Sequence, residues 1–189
     1  MNPIERASKL RQEADLVLQG VGVYDILRPY GSIVPTGSYF LDVMVYPDID
    51  LYIPQRTIQE IFTVGGQLAQ SDRVPEVSFA RSDDASMPEG LYLKPRIRYG
   101  EWGRPWKIDI WSIDADLIEL KMEPMLRFKQ RMTPWLREQI IRYKLSILTP
   151  AHRTPMYSGF FIYKAFIEEG ITEFDQVSQY LVKNGIQMG

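Results

Sequence analysis

The sequence predicts an α+β fold: a mixed β-sheet with flanking helices over residues 1–115, followed by a C-terminal helical part over residues 116–189. Three observations predict it. Residues 48–53, 91–99 and 106–111 alternate apolar and polar side chains with the period of two that marks a half-buried strand. Capped segments of helical period sit before and between those strands. From Ala115 onward helix signals take over.

The elements follow in order. Asn2 is a good N-cap and Pro3 suits the first helical position, so a helix is expected from Pro3 to Leu18, broken by Gly20 and Gly22. A short second helix over Val23–Leu27 ends before Pro29 and Gly31. Gly31 to Pro35 reads as the first strand, leading into a flexible Gly37-Ser38 turn. Tyr39 to Val45 fits either a short helical turn or extended chain. The strand beginning at Asp48 is ended by Pro54. Thr57 and Glu60 have the spacing of a capping box, and Ile58, Ile61, Phe62, Gly65, Leu68 and Ala69 then fall on one helical face.

Val74 to Arg81 reads as a strand and Ser82 to Gly90 as a polar loop. In the next strand Leu91, Leu93, Ile97 and Tyr99 take one face, and Tyr92, Lys94, Arg96 and Arg98 the other. Residues 100–105 connect it to a strand in which Trp106, Ile108 and Ile110 alternate with Lys107, Asp109 and Trp111. Helices are expected over Asp116–Arg131, Pro134–Leu148, Tyr157–Glu169 and Glu173–Lys183, with Gly170 and Gly185 at C-cap positions.

Composition narrows the chemistry. A chain of 189 residues that is 45% hydrophobic and 12% aromatic has enough apolar material for a packed core, which argues against disorder. The absence of cysteine excludes thiol catalysis, disulfides and Cys-based zinc sites. The single histidine, His152, leaves no room for a His-rich metal centre. A net charge of −2 provides no global field toward nucleic acid, which argues against a nucleic-acid partner. The first residues are polar with no apolar signal core, and no window approaches the roughly 18 apolar residues of a membrane span. The expectation is a cytoplasmic chain without membrane attachment.

The acids carry the chemistry. Asp48 and Asp50 share one strand face, opposite Ile49, Leu51 and Ile53. Strand centres disfavour aspartate, and two neighbouring carboxylates repel unless a cation lies beside them. Hard oxygen ligands of this kind suit Mg²⁺ bound alongside phosphates. If the Asp109 strand lies next to the Asp48 strand, three carboxylates converge near Gly37-Ser38, a set suited to two-metal phosphoryl chemistry.

A Gly-Ser turn, an Asp-x-Asp strand and a later strand with aspartate between two isoleucines together resemble the nucleotidyltransferase superfamily, which includes the polymerase-β-like, antibiotic and minimal nucleotidyltransferases. The resemblance spans residues 30–115 and rests on Gly37-Ser38, Asp48-Ile49-Asp50 and Ile108-Asp109-Ile110. Pro47 stands where the family often has serine, and Tyr39-Phe40-Leu41-Asp42 where it often has small residues and a second glycine. The resemblance implies transfer of a nucleoside monophosphate from an NTP such as ATP to a hydroxyl, with pyrophosphate leaving. It implies Mg²⁺ at a two-metal site formed by Asp48, Asp50 and Asp109, and phosphate contacts from Gly37 and Ser38. Lys107 shares the strand face of Asp109 and is a candidate nucleotide ligand. The acceptor expected is a small molecule or a protein, and the oligomeric state stays open. Two other readings remain: a partner-dependent, antitoxin-like regulatory protein on the same fold, and an unrelated α+β enzyme whose aspartates are structural.

Overall fold

The computed structural model describes residues 1–188. Helix α1 (Pro3–Gly20) begins with a full capping box between Asn2 and Glu5. It is followed by α2 (Val23–Leu27), a 3-10 turn at Arg28–Tyr30, strand β1 (Val34–Thr36) and α3 (Gly37–Leu41). Then come β2 (Asp48–Pro54), α4 (Ile58–Leu68), β3 (Glu76–Arg81), β4 (Leu91–Ile97) and β5 (Trp106–Ile113). Four helices complete the described residues: α5 (Ala115–Arg131), α6 (Pro134–Ser146), α7 (Ser158–Ile167) and α8 (Phe174–Lys183).

The five strands form one mixed sheet in the order β1-β2-β5-β4-β3. Its centre is the parallel pair β2 and β5, with all other neighbours antiparallel. One face is aliphatic: Ile49, Leu51 and Ile53 of β2 and Ile108 and Ile110 of β5 are fully buried. They join Leu10, Ala14 and Leu18 of α1, Leu27 of α2 and Ile61, Val64 and Leu68 of α4 in the first core. Burying each such side chain contributes about 1.5–3 kcal/mol, so this layer holds the central strands flat against the helices. A second core joins α5–α8 to the opposite side of the sheet, and it includes Ala7, Leu41, Val43 and Val45 from the first part of the chain. Asp114, between β5 and α5, caps α5 with its own carboxylate. Among the described residues no helix is long and apolar enough to cross a membrane.

Two local expectations change. The first strand begins at Val34, because Gly31 sits at φ +112° directly after a 3-10 turn and the chain only straightens beyond it. The Gly37-Ser38 turn is the start of α3, which resolves the 39–45 stretch as helical to Leu41. Asp42 then takes a left-handed conformation and Arg137 of α6 donates to both its carbonyl and its carboxylate, at 2.8 and 3.0 Å. That pairing ties the end of α3 to α6.

Candidate active site

The parallel register places Asp48 opposite Lys107 and Asp50 opposite Asp109. All four side chains therefore point to the same face, away from the aliphatic layer. Carboxylate oxygens of Asp48, Asp50 and Asp109 lie within 4.8 Å of one another. Asp48 and Asp109 are buried and Asp50 is half-buried. The Lys107 ammonium bridges two of them, 3.0 Å from Asp48 Oδ1 and 2.5 Å from Asp109 Oδ2. Tyr92, from the neighbouring β4, donates its hydroxyl to Asp109 Oδ1 at 2.6 Å.

Gly37 lies against this cluster from the edge strand. It has φ +63°, and a Cβ there would collide with Asp50 Oδ2. The glycine is needed both for its backbone conformation and for the close approach of Asp50. Ser38 follows in the first turn of α3. The hydroxyl of Tyr39 donates to Asp15 Oδ1 at 2.6 Å, and Arg11 donates to the Tyr39 carbonyl, so α1 anchors this short helix.

The electrostatics are set by burial. Loss of water pushes the Asp48 carboxyl up to about 6; Lys107 opposes the rise and Asp109 adds to it. Burial, then Asp48 and Asp109, raise Asp50 well above the usual carboxylate range. Burial alone would lower Lys107, yet Asp48 and Asp109 outweigh it and hold the ammonium charged above its ordinary range. Three acids packed around one lysine carry an excess of negative charge, which a divalent cation would neutralise. The donor set is all oxygen, and buried Asp48 Oδ1 accepts no hydrogen bond, its contact with Lys107 being one of distance only. These residues fit a Mg²⁺-type ion.

Several groups in and around the site carried no sequence motif. Lys144 of α6 is 2% exposed and donates to the Val43 carbonyl at 2.8 Å and the Tyr163 hydroxyl at 3.3 Å. Burial lowers it to about 8, while Asp48 and Asp50 pull the other way. A lysine in register with Ile140 and Ile141 on an apolar helix face was the available signal. Tyr92 was legible only as a member of the polar face of its strand. Arg104 adds positive charge beside Asp48 and donates to the Ala151 and His152 carbonyls.

Other candidates lie elsewhere or are already engaged. The Trp111 ring stacks on Tyr92 with centroids 4.4 Å apart. Arg96 pairs with Glu76 across β3 and β4. His152 is exposed in the loop after α6, with φ +54°. The Tyr92 hydroxyl is the one anchor of Asp109 that a conservative substitution removes cleanly. Tyr92→Phe should cost about 1.5–3 kcal/mol in denaturant unfolding, the range for a hydrogen bond to a charged group. A change below about 0.5 kcal/mol would show that the hydroxyl does not anchor Asp109.

The chain has a mixed sheet with three acids on adjacent parallel strands, a Gly-Ser helix start beside them and a helical part behind, and it shares its fold with solved nucleotide-transferring enzymes. Three solved structures show the likeness. The GLD-2/RNP-8 complex superposes with a TM-score of 0.56 at 10% identity, covering 91% of this chain and 65% of that one. The non-canonical poly(A) polymerase complex GLD-2–GLD-3 gives 0.53 at 11% identity, covering 95% and 64%. A cytoplasmic RNA terminal U-transferase gives 0.52 at 14% identity, covering 80% and 46%. At these identities the likeness is one of fold, and the chain spans about half to two-thirds of the length of those structures. No protein-family model and no curated protein matches the sequence.

Proposed function

We propose that this chain is a divalent-metal-dependent nucleotidyltransferase that moves a nucleoside monophosphate from an NTP to an acceptor hydroxyl and releases pyrophosphate. One observation carries the reading: Asp48, Asp50 and Asp109 meet on one face of a sheet with this fold. In the reaction the acceptor oxygen bonds to the α-phosphorus, the bond from that phosphorus to the α–β bridging oxygen breaks, and the acceptor hydroxyl loses its proton. Asp48 and Asp50 would hold Mg²⁺, and Asp109 would complete the second metal position. The bound metal would neutralise the triphosphate and the entering and leaving oxygens.

The chain's own groups supply the rest. Asp109 takes part in activating the acceptor hydroxyl, and Tyr92 fixes its orientation. Gly37 lets backbone and carboxylate approach closely, and Ser38 offers a hydroxyl to a phosphate oxygen. Residues 1–115 form the catalytic part, and the helices of 116–189 wall the site through Lys144, which ties α6 to the segment leading into Asp48. Most of the rate enhancement of such a site comes from positioning and charge neutralisation.

The expectation of a small-molecule or protein acceptor rested on net charge, a whole-molecule quantity. Solved structures of this fold include an RNA terminal U-transferase and a poly(A) polymerase complex, so the ground for setting nucleic acid aside is gone. An RNA 3′ end belongs in the acceptor screen beside small hydroxyl compounds.

Calorimetry with a non-hydrolysable NTP, with and without Mg²⁺, tests the reading. The wild type should bind in a Mg²⁺-dependent manner, and Asp48→Asn/Asp50→Asn should lose that binding while keeping its circular dichroism spectrum. Binding that is unchanged in the double variant would sink the assignment. A wild type that binds no nucleotide but copurifies with a tight protein partner would favour the regulatory reading.

A further inference from the structure

Lys107, a candidate either to meet a phosphate or to pair with an acid, has its ammonium inside the carboxylate cluster. Parallel pairing sets its Cα opposite Asp48, and strand alternation sets it on the face of Asp109 two residues on. The side chain is only 17% exposed. Its head touches Asp48 Oδ1 and Asp109 Oδ2. The other Asp109 oxygen is already taken by Tyr92. Lys107 thus holds the Asp109 oxygen that Tyr92 does not, and a cation drawn to that oxygen meets the ammonium. Asp48 Oδ1, buried and without a hydrogen bond, is the other oxygen it touches.

Among the described residues no neighbouring cation substitutes for it. The Lys144 ammonium is committed to Val43 and Tyr163, and the Arg104 guanidinium donates to two carbonyls of the 151–152 loop. Two cations crowded onto the same pair of oxygens repel strongly in a site this dry. A lysine, with its flexible four-carbon stem, can withdraw where a planar guanidinium fork would stay locked.

We propose that Lys107 is a built-in competitor of the metal: its ammonium and a divalent cation contend for the same oxygens of Asp48 and Asp109, and the lysine must leave for the ion to bind. This rests on the nucleotidyltransferase reading of the site and adds a control on its loading. Lysine keeps the three acids together until an ion arrives, and the metal affinity of the free protein is set lower than three carboxylates alone would give. Nucleotide-bound metal, which brings its own phosphate ligands, then loads in preference to the bare ion.

The test uses Mn²⁺ alone, without nucleotide, on the full chain at pH 8, with free Mn²⁺ counted by electron paramagnetic resonance. Lys107→Met should bind Mn²⁺ at least about tenfold more tightly than wild type, the equivalent of one pKa unit of relieved interaction. Lys107→Arg, which keeps the charge, should stay at or below the wild-type affinity. Lys107→Gln repeats the comparison if the methionine chain does not fold, and the same direction is required of it. Equal or weaker Mn²⁺ binding without the lysine overturns the proposal, as does an arginine variant that tightens binding as much as methionine. Asp48→Asn/Asp50→Asn separates the two levels. If it abolishes Mn²⁺ binding while Lys107→Met changes nothing, only the competition falls. If it leaves Mn²⁺ binding intact, or if no variant binds Mn²⁺, the metal site itself falls.

Discussion

Asp50→Asn should make the metal-free protein more stable at pH 8 and at the same time reduce Mg²⁺-dependent nucleotidyl transfer by at least about a hundredfold. The two effects have one cause. Burial raises Asp48 from 3.8 to about 6 and raises Asp50 well above 3.8. A carboxyl whose folded pKa lies above its unfolded value favours the fold when protonated. That contribution is complete below about pH 3.8 and is lost as the pH rises through the folded value. The metal-free wild type should therefore lose stability from near pH 4 to pH 6 on account of Asp48, and Asp50, raised in the same direction, should add to the loss. For Asp48 alone the rise corresponds to about 2–3 kcal/mol, at about 1.4 kcal/mol per pKa unit.

Asparagine carries no charge and removes that loss at its own position. Thermal melting at pH 5 and pH 8 is the measurement: the gap between Asp50→Asn and wild type should widen with pH, and Mg²⁺ should raise the melting temperature of the wild type only. A wild type that is more stable at pH 8 than at pH 5 without metal, matched by the variant, would show that the acids are not in electrostatic conflict. On the proposed function, activity opposes stability here, because the acids would be packed together for a ligand the fold does not supply.

Gly37→Ala should damage the site more than its size suggests. At φ +63° an L-residue costs about 1–2 kcal/mol of backbone strain. The new methyl group also lands on the Asp50 carboxylate, which must then shift relative to Asp48 and Asp109. Gly170→Ala is the matched control, since it has φ +66° and nothing within 4 Å of the added atom. Gly170→Ala should lose about 1–2 kcal/mol in denaturant unfolding, and Gly37→Ala at least as much. Only Gly37→Ala should also weaken Mg²⁺-dependent NTP binding, by more than about tenfold, since a displacement of about 1 Å in a reacting array is that costly. Equal nucleotide binding by both variants would mean that Asp50 can give way freely.

The glycine shows where sequence reading reaches its limit. The family resemblance implied phosphate contacts for Gly37 and Ser38; the structure sets Gly37 in a left-handed conformation at the start of a helix. The neighbour that forbids a side chain is Asp50, across β1 and β2, a relation the local motif does not contain. Lys107 shows the same limit. Alternation put it on the face of Asp109, but only the pairing of β2 with β5 brought Asp48 within 3.0 Å of its ammonium.

The sequence by itself determined the α+β class, the capped helices, the alternating strands and the sharing of one face by Asp48 and Asp50, because each depends on chain-local periods and caps. It also identified Asp109 as the third acid through its place between two isoleucines. Only the tertiary structure decided that β2 and β5 are parallel neighbours in a register that sets Asp50 beside Asp109, that Lys107 stands between two acids, that Tyr92 holds Asp109, and that Lys144 reaches from α6 to the Val43 carbonyl. Strand order, register and helix docking are contacts between residues far apart in the chain. They are fixed by which apolar faces bury one another, and no local pattern of residues carries that information.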